Sequence, residues 1–501
     1  MEPVFEFPLA LDKHGRQSLA QRLHQRLRAA IVEQRLPAGA QLPSTRRVAQ
    51  AYGIARNTVI AAYDLLMAEG FIVTRPGASA RVADWAPALA ALPARGRART
   101  PRLAAPSSAI DRSPPPTIAA GAGHVESASH SVVPASVLRG FHLGVPDHHW
   151  FPSDVWRRLL LRSSSLTLPD AFGYPPAEGR PLLRAAIAQH VAYARAVVCD
   201  ERDVIVTSGA QQAFDLLARV LVTKGQTKVA VEDPGYPPLR AAMLAAGAQL
   251  VPIPVDEEGL LVERIPADVK IVYVTPSHQF PTGVAMSLPR RRALLEFARR
   301  HAAVVIEDDY DGEFRYAAQP LDALQTLDRE GKVVYVGTFS KSMFPSLRIG
   351  FAIAPPWLIG TLAAAKQRAD NGSNAVLQEA LARFILDGHL ARYARTMRKR
   401  YASRRDALLE AVERHLGEWL APVPPGAGIH LSARYRDRRY GKRIMSLAEH
   451  HAIGAQPVSD FLIEREAAAR TGSGIVFGFG CIDEAQIARS IASLSRALHH
   501  R

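Results

Sequence analysis

The chain has two cysteines in 501 residues, Cys199 and Cys481, far apart and in no metal-ligand spacing. That scarcity argues against a disulfide-stapled scaffold and a cysteine-based zinc site, no metal is expected, and a reducing cytoplasm fits. Long apolar runs are also missing. The longest, such as "AAVVI" before Glu307, fall far short of the ~20 residues that a membrane span needs. The opening "MEPVFEFPLALDKHG" is acidic and lacks the apolar core of a secretory signal, so a cytoplasmic protein without a membrane partner is expected. No internal repeat is evident. What the chain does have is size, apolar content and positive charge. Its length requires two or more domains, and 48% hydrophobic residues describe a globular protein. A net charge of +15 invites a polyanionic partner, although charge alone says only that non-specific nucleic-acid contact is feasible.

Composition divides the chain into three regions. Residues 15–83 read as three helices and a short hairpin. Residues 84–137 are rich in Pro, Ala, Ser and Arg, with no sustained period. They form a linker, partly extended at "SPPPT" and dotted with Arg95, Arg97, Arg99 and Arg102. From 138 to 501, β-branched runs ("DVIVTSG", "KVAVEDPGY", "KIVYVTPS", "AAVVIEDDY", "KVVYVGTFS") alternate with amphipathic helical stretches. Such alternation predicts an α/β fold with a mostly parallel, doubly covered sheet.

In the first region, Leu19, Leu23, Leu27, Ile31 and Val32 recur at helical spacing. Ser44 is suited to cap the helix "TRRVAQAY", which Gly53 would end. A second helix, "RNTVIAAYDLLMAE", follows up to Gly70. Two short helices about a glycine turn match a helix–turn–helix, whose second helix enters the major groove. "FIVTRPGASARVA" adds two short strands about an Arg-Pro-Gly turn, a wing. Arg56 can fork onto guanine or phosphate, Asn57 suits adenine or phosphate, and Thr58 suits phosphate. Ser44, Thr45, Arg46 and Arg47 open the preceding helix, where backbone amides favour phosphate. Arg75 at the wing tip reaches the minor groove or the backbone. One such arginine would be an ordinary solvated residue; several polar groups at helix starts and a wing favour double-stranded DNA.

The third region offers a different set. "VIVTSGAQQAF" is a strand, a small-residue turn and a helix, so Ser208, Gly209, Ala210 and Gln211 present helix-start amides to an anion. "EDPGYPPLR" puts Tyr236 on a Pro-Gly turn after a strand. "VVIEDDYDGEF" ends a buried strand in acids, which is costly without partners. Alternation places Asp308 and Tyr310 on one face, with Glu307 and Asp309 on the other, toward a structural arginine. "GTFSKSMFPSLRIGF" ends a strand with Thr338, Ser340 and Lys341, then supplies Arg348 and Gly350. Together these provide what pyridoxal phosphate needs: an amine for the aldehyde, a carboxylate for the ring nitrogen, a donor for the phenolic oxygen, an aromatic for the ring face, and hydroxyls with an arginine for the phosphate. Desolvation would lower the pKa of Lys341 and make it nucleophilic.

"LPSTRRVAQAYGIARNTVIAAYDLLMAEGFI" resembles the winged helix–turn–helix of the GntR regulators. "TSGAQQA", "EDPGYP", "PSHQFPTG", "IEDDYD" and "TFSKSMFPSLRIGF" resemble fold-type I aminotransferases. In combination the chain resembles the MocR/GabR type, a GntR head on an aminotransferase-like body. The resemblance implies a Schiff base on Lys341, Asp308 on the ring nitrogen, Tyr310 on the phenolate and Tyr236 stacked on the ring. It also implies phosphate contacts from Ser208, Thr338 and Arg348, and Tyr174 reaching in from a neighbouring subunit of a head-to-tail homodimer. The implied function is transcription regulation at a DNA operator in response to an amine effector or to pyridoxal phosphate. A genuine aminotransferase carrying a DNA-binding domain is the alternative. Two departures stand out. The aminotransferase pattern has Asn before "PTG", where Phe280 stands, leaving His278 or Gln279 to substitute. The stretch "GSGIVFGFG", residues 472–480, lacks the arginine that usually clamps a substrate carboxylate. α-Amino acids are therefore expected to be poor effectors, with Arg470 and Arg240 as the remaining cations for an acid placed elsewhere.

Overall fold

The computed structural model describes residues 5, 19–33, 35–68, 71–73, 79–83, 140–164, 173–316, 322–463 and 474–499. The 84–137 linker, Gly70, Arg75 and Arg470 lie outside them. The chain divides into two compact units, Met1–Ser113 and Pro114–Arg501.

In the first unit, helices α1 (Leu19–Val32), α2 (Thr45–Tyr52) and α3 (Arg56–Ala68) precede strands β1 (Ile72–Val73) and β2 (Arg81–Val82). The strands are antiparallel, with Ile72 opposite Val82. Leu23, Leu27 and Ile31 follow the four-residue stride of one helix face. They close a core with Val48, Val59, Leu66, Ile72 and Val82. Ser44 accepts the Arg47 amide at 3.3 Å, and Gly53 ends α2 at φ 59°. A left-handed residue here costs glycine little.

The second unit is built on an eight-stranded sheet. Its strands are β3 (Val204–Thr207), β4 (Lys228–Asp233), β5 (Gln249–Asp256), β6 (Gly259–Leu260), β7 (Ile271–Val274), β8 (Val304–Asp309), β9 (Val333–Thr338) and β10 (Gly350–Ile353). They lie in the order β3-β10-β9-β8-β7-β4-β5-β6. Only β10, against β3 and β9, and the short β6 pair antiparallel. Alternation assigns each side chain a face. Val204 and Val206 meet Leu183, Ile187 and Phe384 on one side, while Ile205 meets Phe214 and Leu217 on the other. Strands covered on both faces read as continuous apolar runs, as these do. A smaller antiparallel sheet, β11 (Leu420–Val423), β12 (His430–Tyr435), β13 (Gln456–Pro457) and β14 (Gly474–Gly478), has the order β11-β12-β14-β13. The helices His389–Leu416 and Glu484–His499 pack behind it. No helix among the described residues is long and apolar enough to cross a membrane.

Because β3, β4, β7, β8 and β9 run the same way, the loops after them open on one edge. The start of antiparallel β10 lies at that same edge, where ligands bind in open α/β sheets.

Candidate functional sites at the sheet edge and the helix starts

Lys341 follows β9, and its half-buried Nζ donates to the Gly144 carbonyl at 2.5 Å. Desolvation pushes its pKa down, opposed by Asp311 and Asp308. At the end of β8 the three acids part. Glu307 accepts the Leu324 and Gln325 amides, each at 2.8 Å. Asp309 accepts from Arg195 and, at 2.6 Å, from the Tyr335 hydroxyl. Among the described residues Asp308 accepts only the Tyr273 hydroxyl, at 2.8 Å on Oδ2, and its Oδ1 has no hydrogen-bond partner. Burial pushes the Asp308 pKa up to about 7. Tyr310 donates to the His278 carbonyl at 2.9 Å and lies 3.0 Å from His278 Nδ1. Tyr236 meets Phe280 edge-on at 5.3 Å between centroids.

Further along the same sheet edge lies a close main-chain turn. Gly209, at φ 81°, caps the helix Ala210–Leu221. Arg348, itself at φ 52°, donates to the Ser208 carbonyl at 2.9 Å. A Cβ on Gly209 would stand 2.8 Å from Arg348 Nη2, and one on Gly350 would stand 2.9 Å from the Ala210 nitrogen. The approach to main chain requires glycine at 350, and the positive φ favours it at 209. Thr338 Oγ1 and Ser340 Oγ are 2.9 Å apart. The Ser208 amide is taken by Gln212 at 2.8 Å, and the Gln211 side chain turns to the Pro238 carbonyl at 3.2 Å. Tyr174 is 86% exposed and lies outside this cluster in its own chain.

Sequence reasoning passed over Gly144, Asp311 and His430. Asp311 lies 2.9 Å from His278 Nδ1, and the His278 and His430 rings are 4.3 Å apart. Burial raises Asp311 to about 8 and lowers His278 to about 3. A further acid just past a buried strand end was the available signal for Asp311; nothing local marks His430 or Gly144. Of the two residues offered in place of asparagine, Gln279 is tied into the scaffold by the Pro234 carbonyl at 2.8 Å and Glu232 at 3.3 Å. His278 is the one that meets Tyr310. Arg240 is buried on the Glu232 carbonyl at 2.9 Å, with Asp233 at 3.4 Å.

In the first unit the polar groups gather where α2 and α3 begin. Arg46, Arg47, Arg56 and Asn57 are exposed, and Thr45 and Thr58 are half-buried. Arg56 Nε reaches Thr45 Oγ1 at 3.4 Å, bringing the two helix starts together.

Two families match this chain: "Bacterial regulatory proteins, gntR family" over residues 19–82, and "Aminotransferase class I and II" over residues 143–472. A probable rhizopine catabolism regulatory protein, MocR, of Rhizobium meliloti is 36% identical over 98% of this chain and 95% of its own. The pyridoxine biosynthesis transcriptional regulator PdxR of Corynebacterium glutamicum is 29% identical over 98% and 99%. Among solved structures, a Pyrococcus horikoshii kynurenine aminotransferase, in complex with PMP, is 31% identical. It superposes with a TM-score of 0.66 over 73% of this chain and 92% of that one.

Proposed function

Because this chain belongs to the MocR type of GntR-family transcription regulators, a winged helix–turn–helix joined to an aminotransferase-like domain, we propose that it binds pyridoxal phosphate at Lys341 and couples that site to operator DNA. The carrying observation is the buried Asp308 carboxylate with one oxygen unpartnered, in the electrostatic reach of Lys341. A buried acid in that state requires a partner, and a protonated ring nitrogen supplies one. The remaining groups fit the same cofactor. Tyr310 stands by as a phenol donor and Tyr236 as a ring face. Thr338, Ser340, Ser208 and Arg348, with the Gly209, Ala210 and Gln211 amides at a helix start, would hold its phosphate. When bound, the cofactor supplies an electron-withdrawing aldehyde that captures amines. The protein's part is to hold the Lys341 amine desolvated, fix the ring with Asp308 and anchor the phosphate.

On this reading residues 15–83 read DNA in the cytoplasm through Ser44, Thr45, Arg46, Arg47, Arg56, Asn57, Thr58 and Arg75. Residues 84–137 link them to the body, 138–501. An amine effector, or pyridoxal phosphate itself, sets the response; similarity to a pyridoxine biosynthesis regulator supports the second. A head-to-tail homodimer would let exposed Tyr174 complete a neighbour's cleft.

The complete lysine–acid–arginine set also favours residual transaminase activity. One experiment separates the readings. Purified protein is mixed with pyridoxal phosphate and its visible spectrum followed, with amino donors added, ketoacid assayed and operator binding measured in parallel. A bound-cofactor band with altered DNA binding and no turnover supports the regulator. Sustained ketoacid formation supports the enzyme, and no band refutes the cofactor.

A further inference from the structure

Lys366 is 0% exposed. It lies near the end of the helix Pro356–Asp370 and belongs to neither of the sites described above. A buried ammonium needs an acceptor for each of its protons. Both Asp370 oxygens serve at 2.6 Å and Ser373 Oγ at 3.0 Å. Stability alone does not call for such a pair, because apolar side chains of similar volume are often neutral or stabilising in its place. What an apolar pair cannot do is orient a further polar group, and the Asp370 carboxylate does. Its Oδ1 accepts the Gly372 amide at 3.0 Å. Its Oδ2 accepts Gln212 Nε2 at 2.8 Å, from a residue 158 positions away.

Gln212 carries that constraint to the sheet edge. With Nε2 on Asp370, its Oε1 accepts the Ser208 amide at 2.8 Å. The carboxamide cannot turn over without losing both bonds. The Ser208 carbonyl meanwhile accepts Arg348 Nη2 at 2.9 Å. Ser208 is therefore held on both sides of its main chain, and its hydroxyl is the group it has left for a ligand. Gly209, next in the chain, has no side chain to cap the helix Ala210–Leu221. The first amides of that helix are thus open to an anion, and their aim depends on where Ser208 sits.

Resting on the cofactor reading above, we propose that Gln212, Asp370 and Lys366 are positioning residues for the phosphate end of the site. Lys366 fixes the Asp370 carboxylate, and Asp370 orients the Gln212 carboxamide. Gln212 in turn sets the Ser208 main chain, and with it the Ser208 hydroxyl and the helix-start amides. The effect falls on the phosphate rather than on the ring or the aldehyde. These residues thereby select the phosphorylated cofactor over its free alcohol.

The test titrates full-length protein with pyridoxal phosphate and, separately, with pyridoxal, following the visible band. Pyridoxal keeps the aldehyde, the ring nitrogen and the phenolic oxygen and lacks only the phosphate. Gln212→Ala should weaken pyridoxal phosphate about tenfold, a difference of about 1.4 kcal/mol, and pyridoxal by less than about twofold. Lys366→Met, which removes the charge and keeps much of the volume, should act in the same direction. In the double variant the two losses should not add, since both pass through Asp370. Inorganic phosphate should compete less well in each variant than in the wild type. If Lys366→Met fails to fold, Gln212→Ala, at a half-buried position, decides the matter alone. Equal losses for the two ligands would make these residues general structural support and overturn the proposal. Unchanged pyridoxal phosphate affinity, or fully additive losses, would also overturn it while leaving the cofactor reading intact. Absence of any band with the wild type overturns both.

Discussion

Arg56 and Asp308 stand at opposite extremes of one chain. Arg56 is exposed at the start of α3 with a single long contact to Thr45. Asp308 is 4% exposed at the end of β8 with one oxygen bonded and one bare. The first can wait in water for a phosphate or a base edge, because solvent satisfies it meanwhile. The second cannot be satisfied by bulk water, so its surroundings must be built around a specific partner. The N-terminal unit therefore keeps its polar chemistry outside a small apolar core. The C-terminal unit builds it into the sheet edge, where changing one group disturbs several others.

The sharpest way to break this contrast is at Lys341. Lys341→Ala should abolish covalent cofactor capture, since the neighbouring lysines in sequence are Lys332 and Lys366 and Lys366 is buried on Asp370. Operator binding without effector should persist. Unchanged cofactor absorbance in the variant refutes the assignment. Gly350→Ala comes next. Its Cβ would press on main chain rather than on a flexible tip, so a loss of several kcal/mol is expected, within the range for overpacking and backbone strain. Thermal melts and cofactor titration would show it; a wild-type melt would deny the close approach.

Replacing Arg56 and Asn57 by alanine should cost about 1–3 kcal/mol for each base edge lost and leave cofactor binding untouched. If Arg56 meets only phosphate, affinity should fall evenly across sequences and the salt slope should shrink. Normal operator affinity in the double variant would remove α3 as the reader.

pH sharpens the contrast more gently. Burial raises the folded-state values of Asp308 to about 7 and Asp311 to about 8. The folded state thus retains protons that the unfolded chain has released, and the stability tied to them is lost as pH rises through those values. Burial lowers His278 to about 3 and His430 well below its ordinary value, which works oppositely but only below the unfolded histidine value of about 6.5. Between about pH 6.5 and 8 these acids act together with Glu232, which burial also raises to about 7, and outweigh the opposite contribution of the lowered Lys341. The cofactor-free body should lose roughly 2 kcal/mol there, while the N-terminal unit holds steady. A body melting midpoint that rises over this window contradicts that balance. Smallest is Gly53→Ala, with open space around the Cβ but φ 59°; about 1 kcal/mol from the first unit is expected by melting.

The sequence carried the fold well because the relevant signals are local. Leu23, Leu27 and Ile31 announce a helix face by stride, Ser44 and Gly53 mark the ends of α2, and the runs ending in Ser208, Asp308 and Thr338 announce buried parallel strands. Strand alternation by itself also sends Asp308 and Asp309 to opposite faces. Contacts across long loops are different. Lys341 meets Gly144 from 197 positions away, and no period links them. His430 reaches His278 from the smaller sheet, where it reads as an ordinary strand residue in "GIHLSARY". Likewise, only the packing reveals that Gly478 and Gly480 are small because another stretch of backbone lies against them.

The hydrogen bond from Lys341 to Gly144 has a mechanical side. Any chemistry that takes up the Lys341 amine withdraws it from that carbonyl. Gly144 belongs to a short path that is pinned on both sides: the Phe141 amide bonds to Ile453 and its carbonyl to Gly478, while Asp147 is held by Arg404 and by the hydroxyls of Tyr401 and Tyr393. With Phe141 and Asp147 held independently of Lys341, loss of the Lys341 contact frees only the short turn around Gly144 between those two pins.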